Sequence, residues 1–258
     1  MSRFDFAGKR VLVTGASRGL GEAIARAFAL AGADLFVMAD DEGIHAAAAE
    51  IGKLVEVRVP AYVCDITDKA AVARIVGGLG ALDVLVNNAG LELLTPVLEP
   101  SADNDRDFER IIDINIKGSW WVTRAAVPQM TAGASILFTA SLWGRTAEAG
   151  FAAYVASKHA VIGLTRTLAR ELGPMGIRVN AVCPGWVKTK ASLRSLATMS
   201  KRTGRPESEL LDEILAHQAM GGLMEPDDVA DLYLFLASDA ARNITGQSVG
   251  IDRGDFMA

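Results

Sequence analysis

The sequence predicts an α/β protein: one domain built on a doubly wound parallel sheet of about seven strands, with helices on both faces. Three observations carry that expectation. Seven short apolar, β-branched runs alternate with longer stretches of helical periodicity, the pattern of parallel strands joined by crossover helices. A glycine-rich turn separates the first run from the first helical stretch. The 258 residues suit one large domain of this kind, with ample interior for a core. Right-handed crossovers then put helices on both faces of one open sheet.

In chain order, strands are expected at 10–14, 35–39, 55–63, 84–87, 135–139, 178–182 and 248–251, and helices at 22–30, 68–79, 108–130, 152–172 and 226–237. Pro60 lies inside the third run and cannot donate to a ladder, so that strand should be shorter than its apolar run. Thr67 stands where its hydroxyl can cap the helix opened by Asp68. Glu225-Pro226-Asp227-Asp228 places proline in a first helical turn and acids at the positive end of its dipole. The alternation breaks from 188 to 223, a polar stretch with Gly204 and Pro206 midway and Gly221-Gly222 near its end. A long insertion near the end of a sheet domain is expected to act as a substrate lid.

Composition removes several classes of function. Lys and Arg number 26 against 31 Asp and Glu, a net charge of −5, with no basic excess to grip phosphate backbones. Nucleic acid is therefore not expected as a partner. Half the residues are hydrophobic and 22% are charged, which argues against disorder. No apolar run reaches the ~18 residues of a membrane helix, and the first residues lack the apolar stretch of a secretory signal. Cys64 and Cys183 are far apart, and His45, His159 and His217 are isolated, so neither a disulfide framework nor a metal site is expected. The default is a cytoplasmic protein acting on a small molecule.

Directly after the first strand comes Thr14-Gly15-Ala16-Ser17-Arg18-Gly19-Leu20-Gly21, then helical sequence. Strand, tight glycine turn and helix amino end together make a diphosphate cradle: the missing Cβ atoms admit a phosphate, and unpaired amides with the helix dipole favour its charge. The spacing is GxxxGxG rather than GxGxxG, so the strand–loop–helix context carries the dinucleotide reading. Asp65 and Ile66 follow the third strand, and Asn87-Asn88-Ala89-Gly90 ends the fourth. Ligands in such sheets sit beyond the carboxyl ends of strands, which places both groups at the same crevice. Asp65 suits an adenine amino group, or a helix cap.

Tyr154 and Lys158 are four apart in helical sequence and so share a face. They follow the fifth strand's Ser141, so a hydroxyl, a phenol and an ammonium can converge. An unperturbed tyrosine titrates at ~10, too high for a base near neutrality. A cation ~4 Å away contributes about 4 kcal/mol at an effective dielectric of ~20. At ~1.36 kcal/mol per pKa unit, that lowers the phenol by up to roughly three units before desolvation opposes it. Ser141 can hold a substrate oxygen near the phenol. Asn115, a polar residue among helical isoleucines, either has its amide satisfied at a helix kink or anchors a water in a proton path behind Lys158.

TGASRGLG, NNAG, Asn115, Ser141, YVASK and Pro184-Gly185-Trp186-Val187-Lys188-Thr189 occur in the order and spacing of the short-chain dehydrogenases/reductases, which the chain resembles from about Gly8 to Gly254. The resemblance implies a Rossmann-type domain, a tetramer or dimer, and NAD(P)-linked interconversion of alcohols and carbonyls without a metal. It implies that Tyr154 is the acid/base, Lys158 the pKa-lowering and ribose-binding residue, Ser141 the orienting donor and Asn115 the relay residue. By the same resemblance the cofactor would be held by Gly15, Ser17, Arg18, Gly19, Leu20, Gly21, Asp65, Ile66, Asn87, Ala89, Gly90, Tyr154, Lys158, Pro184, Gly185, Val187 and Thr189.

The residue ending the second strand should meet the adenosine 2′ position, where an acid accepts ribose hydroxyls and repels a 2′-phosphate. The sequence there reads Ala39-Asp40-Asp41-Glu42, one place out of the usual register. Arg18 pulls the other way, towards a 2′-phosphate. Charge repulsion favours NAD over NADP, with Asp40 as the ribose ligand. Candidate pocket residues are Glu92, Leu93, Trp143, Glu148, Phe151 and Trp186. The carboxylates suit several hydroxyls and the tryptophans a ring-shaped wall, which points to a polyol-like or small cyclic secondary alcohol. The competing readings are an NADPH-dependent ketoreductase acting on acyl thioesters and a dinucleotide sensor without chemistry.

Overall fold

The computed structural model describes residues 4–257. Its strands are β1 (Arg10–Thr14), β2 (Asp34–Ala39), β3 (Ala61–Val63), β4 (Val84–Asn87), β5 (Ser135–Thr139), β6 (Arg178–Pro184) and β7 (Ser248–Ile251). Its α-helices are α1 (Gly19–Leu30), α2 (Gly43–Val55), α3 (Lys69–Gly77), α4 (Ala102–Ile112), α5 (Ser119–Ala126), α6 (Ala152–Leu172), α7 (Lys190–Thr203), α8 (Glu207–Ala216) and α9 (Pro226–Ala237). All strand pairs are parallel, in the order β3-β2-β1-β4-β5-β6-β7. The order reverses between β1 and β4, which opens a crevice at their carboxyl ends.

The strands read as unbroken apolar runs because each face of the sheet is covered. Period-two alternation sends Val11, Val13, Val84 and Val86 to a core shared with α1, α2 and α9. Leu12, Leu85, Ile136 and Phe138 go to the opposite core, with α3, α5 and α6. A one-residue slip of any strand would exchange these sets, so the register of the ends that build the crevice is strongly specified.

Several boundaries differ from the sequence expectation for local reasons. β3 is short, as Pro60 requires, but the run from 55 overstates it because Val55 closes α2. That helix is not among those expected, although its Ala46–Ala49 run consists of the best helix former. The cap of α3 is Asp68, not Thr67: Asp68 Oδ1 accepts from the N–H groups of Ala70 and Ala71, each at 3.0 Å. A carboxylate is favoured at the positive end of the dipole, while the Thr67 hydroxyl donates to Asp65 Oδ1 at 2.8 Å. At Glu225 the expected acidic start forms a reciprocal cap with Asp228.

The stretch 108–130 is not one helix. It is interrupted by a widened, π-type turn over Asp113–Gly118 and ends in a short tight turn at Val127–Gln129. A Cβ at Gly118 would lie 2.6 Å from the Ile66 side chain, so glycine lets the widened turn pack closely there. The segment 188–223 holds two helices, α7 and α8, rather than irregular chain. Thr189 caps α7 through Ser192, and Gly204 ends it at φ +71°. Trp186, Leu196 and Leu210 form a small apolar core beneath the pair, with Trp143 packed against it.

Candidate active site

The glycine turn joins β1 to α1, whose first residue is Gly19, inside the motif. Gly15 adopts φ +65°, and a Cβ there would stand 2.7 Å from Ala89 Cα. A Cβ on Gly21 would stand 2.0 Å from the Gly15 carbonyl oxygen. No side chain caps the start of α1, so its first amides face the crevice without a side-chain acceptor. A cradle that backbone alone can line, at a helix amino end, fits a dinucleotide's diphosphate. The cavity it opens into measures about 1100 Å³, above the ~300–1,000 Å³ usual for a small-ligand site.

Asn88 ties this cradle to the strands. Its amide donates to the carbonyls of Thr14 and Gly15, each at 3.2 Å, and its Oδ1 accepts from Thr139 Oγ1 at 3.1 Å. Thr14 Oγ1 accepts from the N–H of Asn88 and of Ala89, both at 3.1 Å. The Asn87 side chain is buried and donates to Thr123 Oγ1 of α5 at 2.9 Å, which leaves only its main chain to meet a cofactor, and Asn88 lines the cavity beside it. Strand alternation turns neighbouring side chains to opposite sides.

Ser141, just past β5, accepts from the N–H of Trp143 at 3.1 Å, and its hydroxyl stands beside the Tyr154 phenol, whose charged form it favours. Lys158 lies one turn further along α6, its Nζ 5.3 Å from the centre of the Tyr154 ring. Its ammonium donates to the Thr139 carbonyl at 2.7 Å. Asn115, held by the widened turn, accepts from the N–H of Leu91 at 2.7 Å and donates to the Leu91 carbonyl at 3.0 Å and to Ser157 Oγ at 2.9 Å. Ser157 Oγ donates in turn to the Tyr154 carbonyl at 2.7 Å. Asn115 is therefore satisfied at a helix irregularity, buried behind the cavity, and braces the β4 loop against the start of α6.

At Tyr154 desolvation, rather than the neighbouring lysine, dominates the protein's own contribution. Burial, and then the nearby Glu92 carboxylate, push the phenol far above its ordinary value, against the Ser141 hydrogen bond. Burial also pulls Lys158 down from 10.5 to about 8, with Glu92 opposing. Desolvation disfavours the charged form of each group, so both are shifted towards neutrality, although Tyr154 still borders the cavity. At about 8 the lysine keeps its charge near neutral pH, so it is desolvation of the phenol that the sequence estimate left uncounted.

The remaining expected residues separate into two sets. Ser17, Arg18, Leu20, Asp40, Asp65, Ile66, Ala89, Gly90, Pro184, Gly185, Val187 and Thr189 border the cavity, as do Trp143, Glu148 and Trp186. Phe151 and Leu93 do not: Phe151 is fully buried behind Trp143, ring centres 4.8 Å apart. Arg18 and Asp41 are not independent, because Asp41 Oδ2 accepts from Arg18 at 2.6 Å and from Ser17 Oγ at 2.9 Å. His217, isolated in sequence, stands in the cavity wall with Glu148 and with Asp255 of the carboxyl tail. Tyr233 of α9, 2.7 Å from Thr139 Oγ1, had no local signal either.

Comparison with known proteins agrees with this geometry. A family profile described as enoyl-(acyl carrier protein) reductase matches residues 15–255. The oxidoreductase UcpA of Salmonella typhimurium is 42% identical over 257 residues, covering 97% of this chain and 95% of that protein. A Brucella melitensis structure described as a short-chain dehydrogenase/reductase, glucose/ribitol dehydrogenase, superposes with a TM-score of 0.88 at 32% identity over 100% of both chains. A short-chain dehydrogenase from Burkholderia cenocepacia, solved with NADP, gives 0.84 at 34% identity, covering 97% of this chain and 98% of that one.

Proposed function

The chain belongs to the short-chain dehydrogenase/reductase family, and from that premise we propose that it is an NAD(H)-preferring dehydrogenase interconverting a secondary alcohol and a ketone. Its substrate on this reading is polyol-like or a small cyclic alcohol. The observation that carries the reading is the meeting of Ser141, Tyr154 and Lys158 in one cavity with the glycine cradle at the carboxyl ends of β1, β4 and β5. When bound, the nicotinamide of NAD(P) supplies or accepts the hydride. Tyr154 Oη gives or takes the proton at the substrate oxygen, Ser141 orients that oxygen, and Lys158 supplies the nearby positive charge and a donor for a ribose hydroxyl. Asn115 is the positioning residue behind them and the start of a proton relay.

Gly15, Gly19 and Gly21 with the first amides of α1 would hold the diphosphate. Asp40 would take the adenosine ribose, Asp65 and Ile66 the adenine, and Val187 and Thr189 the nicotinamide amide. The preference for NAD(H) is supported by Asp41, which engages the one glycine-loop cation that would favour a 2′-phosphate. Trp143, Glu148 and Trp186 form the substrate wall, with α7 and α8 as its lid. The glucose/ribitol dehydrogenase description of the Brucella structure supports a polyhydroxylated substrate. We place the enzyme in the cytoplasm as a homotetramer or homodimer; two free, buried cysteines suit a reducing compartment, and no helix among the described residues is long and apolar enough to cross a membrane.

The second reading is an NADPH-dependent reductase of 3-oxoacyl thioesters. The enoyl-(acyl carrier protein) reductase description of the matching profile and the NADP of the Burkholderia structure favour it. Steady-state turnover, followed by NADH or NADPH absorbance over a panel of sugars, polyols, cyclic alcohols, hydrophobic ketones and acyl thioesters, separates the two. Tyr154→Phe should lower turnover by about 10³-fold, within the range of acid–base catalysis, while cofactor affinity by fluorescence titration is retained. Unchanged turnover refutes the mechanism. An NADP(H) preference above about tenfold, ~1.4 kcal/mol, refutes the cofactor choice. Turnover of hydrophobic ketones with none of polyols refutes the substrate class.

A further inference from the structure

Glu92, two residues beyond Gly90, lines the cavity and lies close enough to Tyr154 and Lys158 for its charge to act on both. One of its carboxylate oxygens, Oε1, is sealed from solvent and has no hydrogen-bond partner. Burial raises the Glu92 carboxyl, while the Ser195 hydroxyl of α7, Arg194 and Lys158 favour its charged form, and Arg194 donates to the Glu92 main-chain carbonyl at 3.0 Å. A buried polar atom without a partner is uncommon and costly in a native protein. Trp186 Nε1, an N–H in the same cavity wall, is also buried without an acceptor. An unmet acceptor and an unmet donor thus lie in side chains of the cavity wall, each just beneath its surface. A hydroxyl group can serve either, since it carries one donor and two lone pairs. A carboxylate can accept from Trp186 but is repelled by Glu92.

We propose that Glu92 determines the substrate class: its carboxylate accepts a hydrogen bond from a second hydroxyl close to the reacting one, so the site selects diols and rejects hydroxy acids. The terminal torsion of a glutamate is broad and nearly two-fold, so a small rotation turns Oε1 from its sealed position towards the cavity. The inference rests on the alcohol dehydrogenase reading and adds to it the residue that chooses among alcohols.

Three matched probes test it: cis-cyclohexane-1,2-diol, cyclohexanol and cis-2-hydroxycyclohexanecarboxylate. The wild type should favour the diol over cyclohexanol in kcat/KM by about tenfold or more, the worth of a hydrogen bond to a charged group. In Glu92→Leu that ratio should fall to within about twofold of unity. In Glu92→Gln the hydroxycarboxylate should gain about tenfold relative to cyclohexanol, because the like charge is gone. Ser195→Ala, which keeps the carboxylate, should hold the wild-type ratio. A diol ratio unaltered in Glu92→Leu overturns the proposal. Equal loss of the ratio in Ser195→Ala also overturns it, since Glu92 would then act only as a strap to α7. Should the leucine variant not fold, the glutamine variant decides, and no relative gain on the hydroxycarboxylate counts against the proposal. Wild-type inactivity on every alcohol with either cofactor refutes the dehydrogenase reading itself, whereas the variant outcomes refute the role of Glu92 alone.

Discussion

Replacing Asp41 by asparagine should move cofactor preference towards NADPH. In the native protein Asp41 Oδ2 accepts from Arg18 at 2.6 Å, and Oδ1 accepts from the Gly43 N–H at 2.9 Å. Burial works to raise the Asp41 carboxyl, but the Ser17 hydrogen bond, the Arg18 hydrogen bond and charge, and the Gly43 amide outweigh it and hold the group below 3.8. Asparagine keeps an acceptor for Gly43 and deletes the charge. Repulsion against a 2′-phosphate falls, and the guanidinium is freed to meet one. Unit charges ~4 Å apart are worth ~1 kcal/mol in water and ~4 kcal/mol at a surface dielectric of ~20. The Arg18 and Asp41 side chains are 59% and 36% exposed, so the low end applies and salt screens it further. A gain of ~1 kcal/mol corresponds to about a fivefold rise in the NADPH:NADH ratio of kcat/KM at low salt. The assay compares both cofactors in wild type and variant, at low and raised salt, with the rise shrinking as salt increases. A ratio unchanged within about twofold at low salt, or one moving towards NADH, would refute the assignment of this ion pair as the cofactor selector.

Other outcomes follow from the same geometry. Gly21→Ala introduces a Cβ 2.0 Å from the Gly15 carbonyl oxygen and 2.4 Å from Asn88 Nδ2, an overpacking cost of ~1–3 kcal/mol. NADH affinity by fluorescence titration should fall by about tenfold or more, and wild-type affinity would count against the cradle. Asn115→Leu strands the Leu91 N–H and removes the donor to Ser157. At ~1–3 kcal/mol for a buried orphan and ~2–4 °C per kcal/mol in a chain of this size, Tm should drop by several degrees and kcat should fall. An unshifted melt would show that the bracing contacts contribute nothing. Lys158 supplies a pH test in the cofactor-free enzyme. Its folded value is about 8 against an ordinary 10.5, so between those limits the unfolded chain holds the extra proton and stability rises with pH. Relative to Lys158→Met, the wild type should gain stability as pH increases through 8 towards 10.5 in denaturant titrations, and parallel curves would contradict the buried, depressed amine.

Much of the crevice is legible in the letters because its parts lie at strand ends. Gly15 to Gly21, Asp65, Ala89, Ser141 and Pro184 to Thr189 each follow an apolar run. A parallel sheet with right-handed crossovers brings every such position to one edge. Helical spacing puts Tyr154 and Lys158 on one face, and their place after the fifth strand together with the family resemblance gives the pair its role. Two adjacent asparagines look alike in sequence, whereas the strand's alternation points the Asn87 side chain at α5 and leaves Asn88 at the cavity. The helix expected over 108–130 concealed the widened turn, which arises from contacts of Asn115 and Gly118 with the Leu91 backbone and Ile66, both distant in sequence. Asp255 and His217 had no motif, since they reach the wall only when the tail folds back beside the lid helices.

By itself the order of residues determined the seven strands, the two covered faces of the sheet and the set of motifs that meet at its edge, because these depend on local periodicity and on the fixed hand of the crossovers. Only the tertiary structure decided the charge states around Tyr154, the capture of Arg18 by Asp41 and the isolation of the Glu92 carboxylate oxygen. Those properties depend on how much water the whole envelope excludes and on which distant groups face one another, and no short stretch of chain contains either quantity.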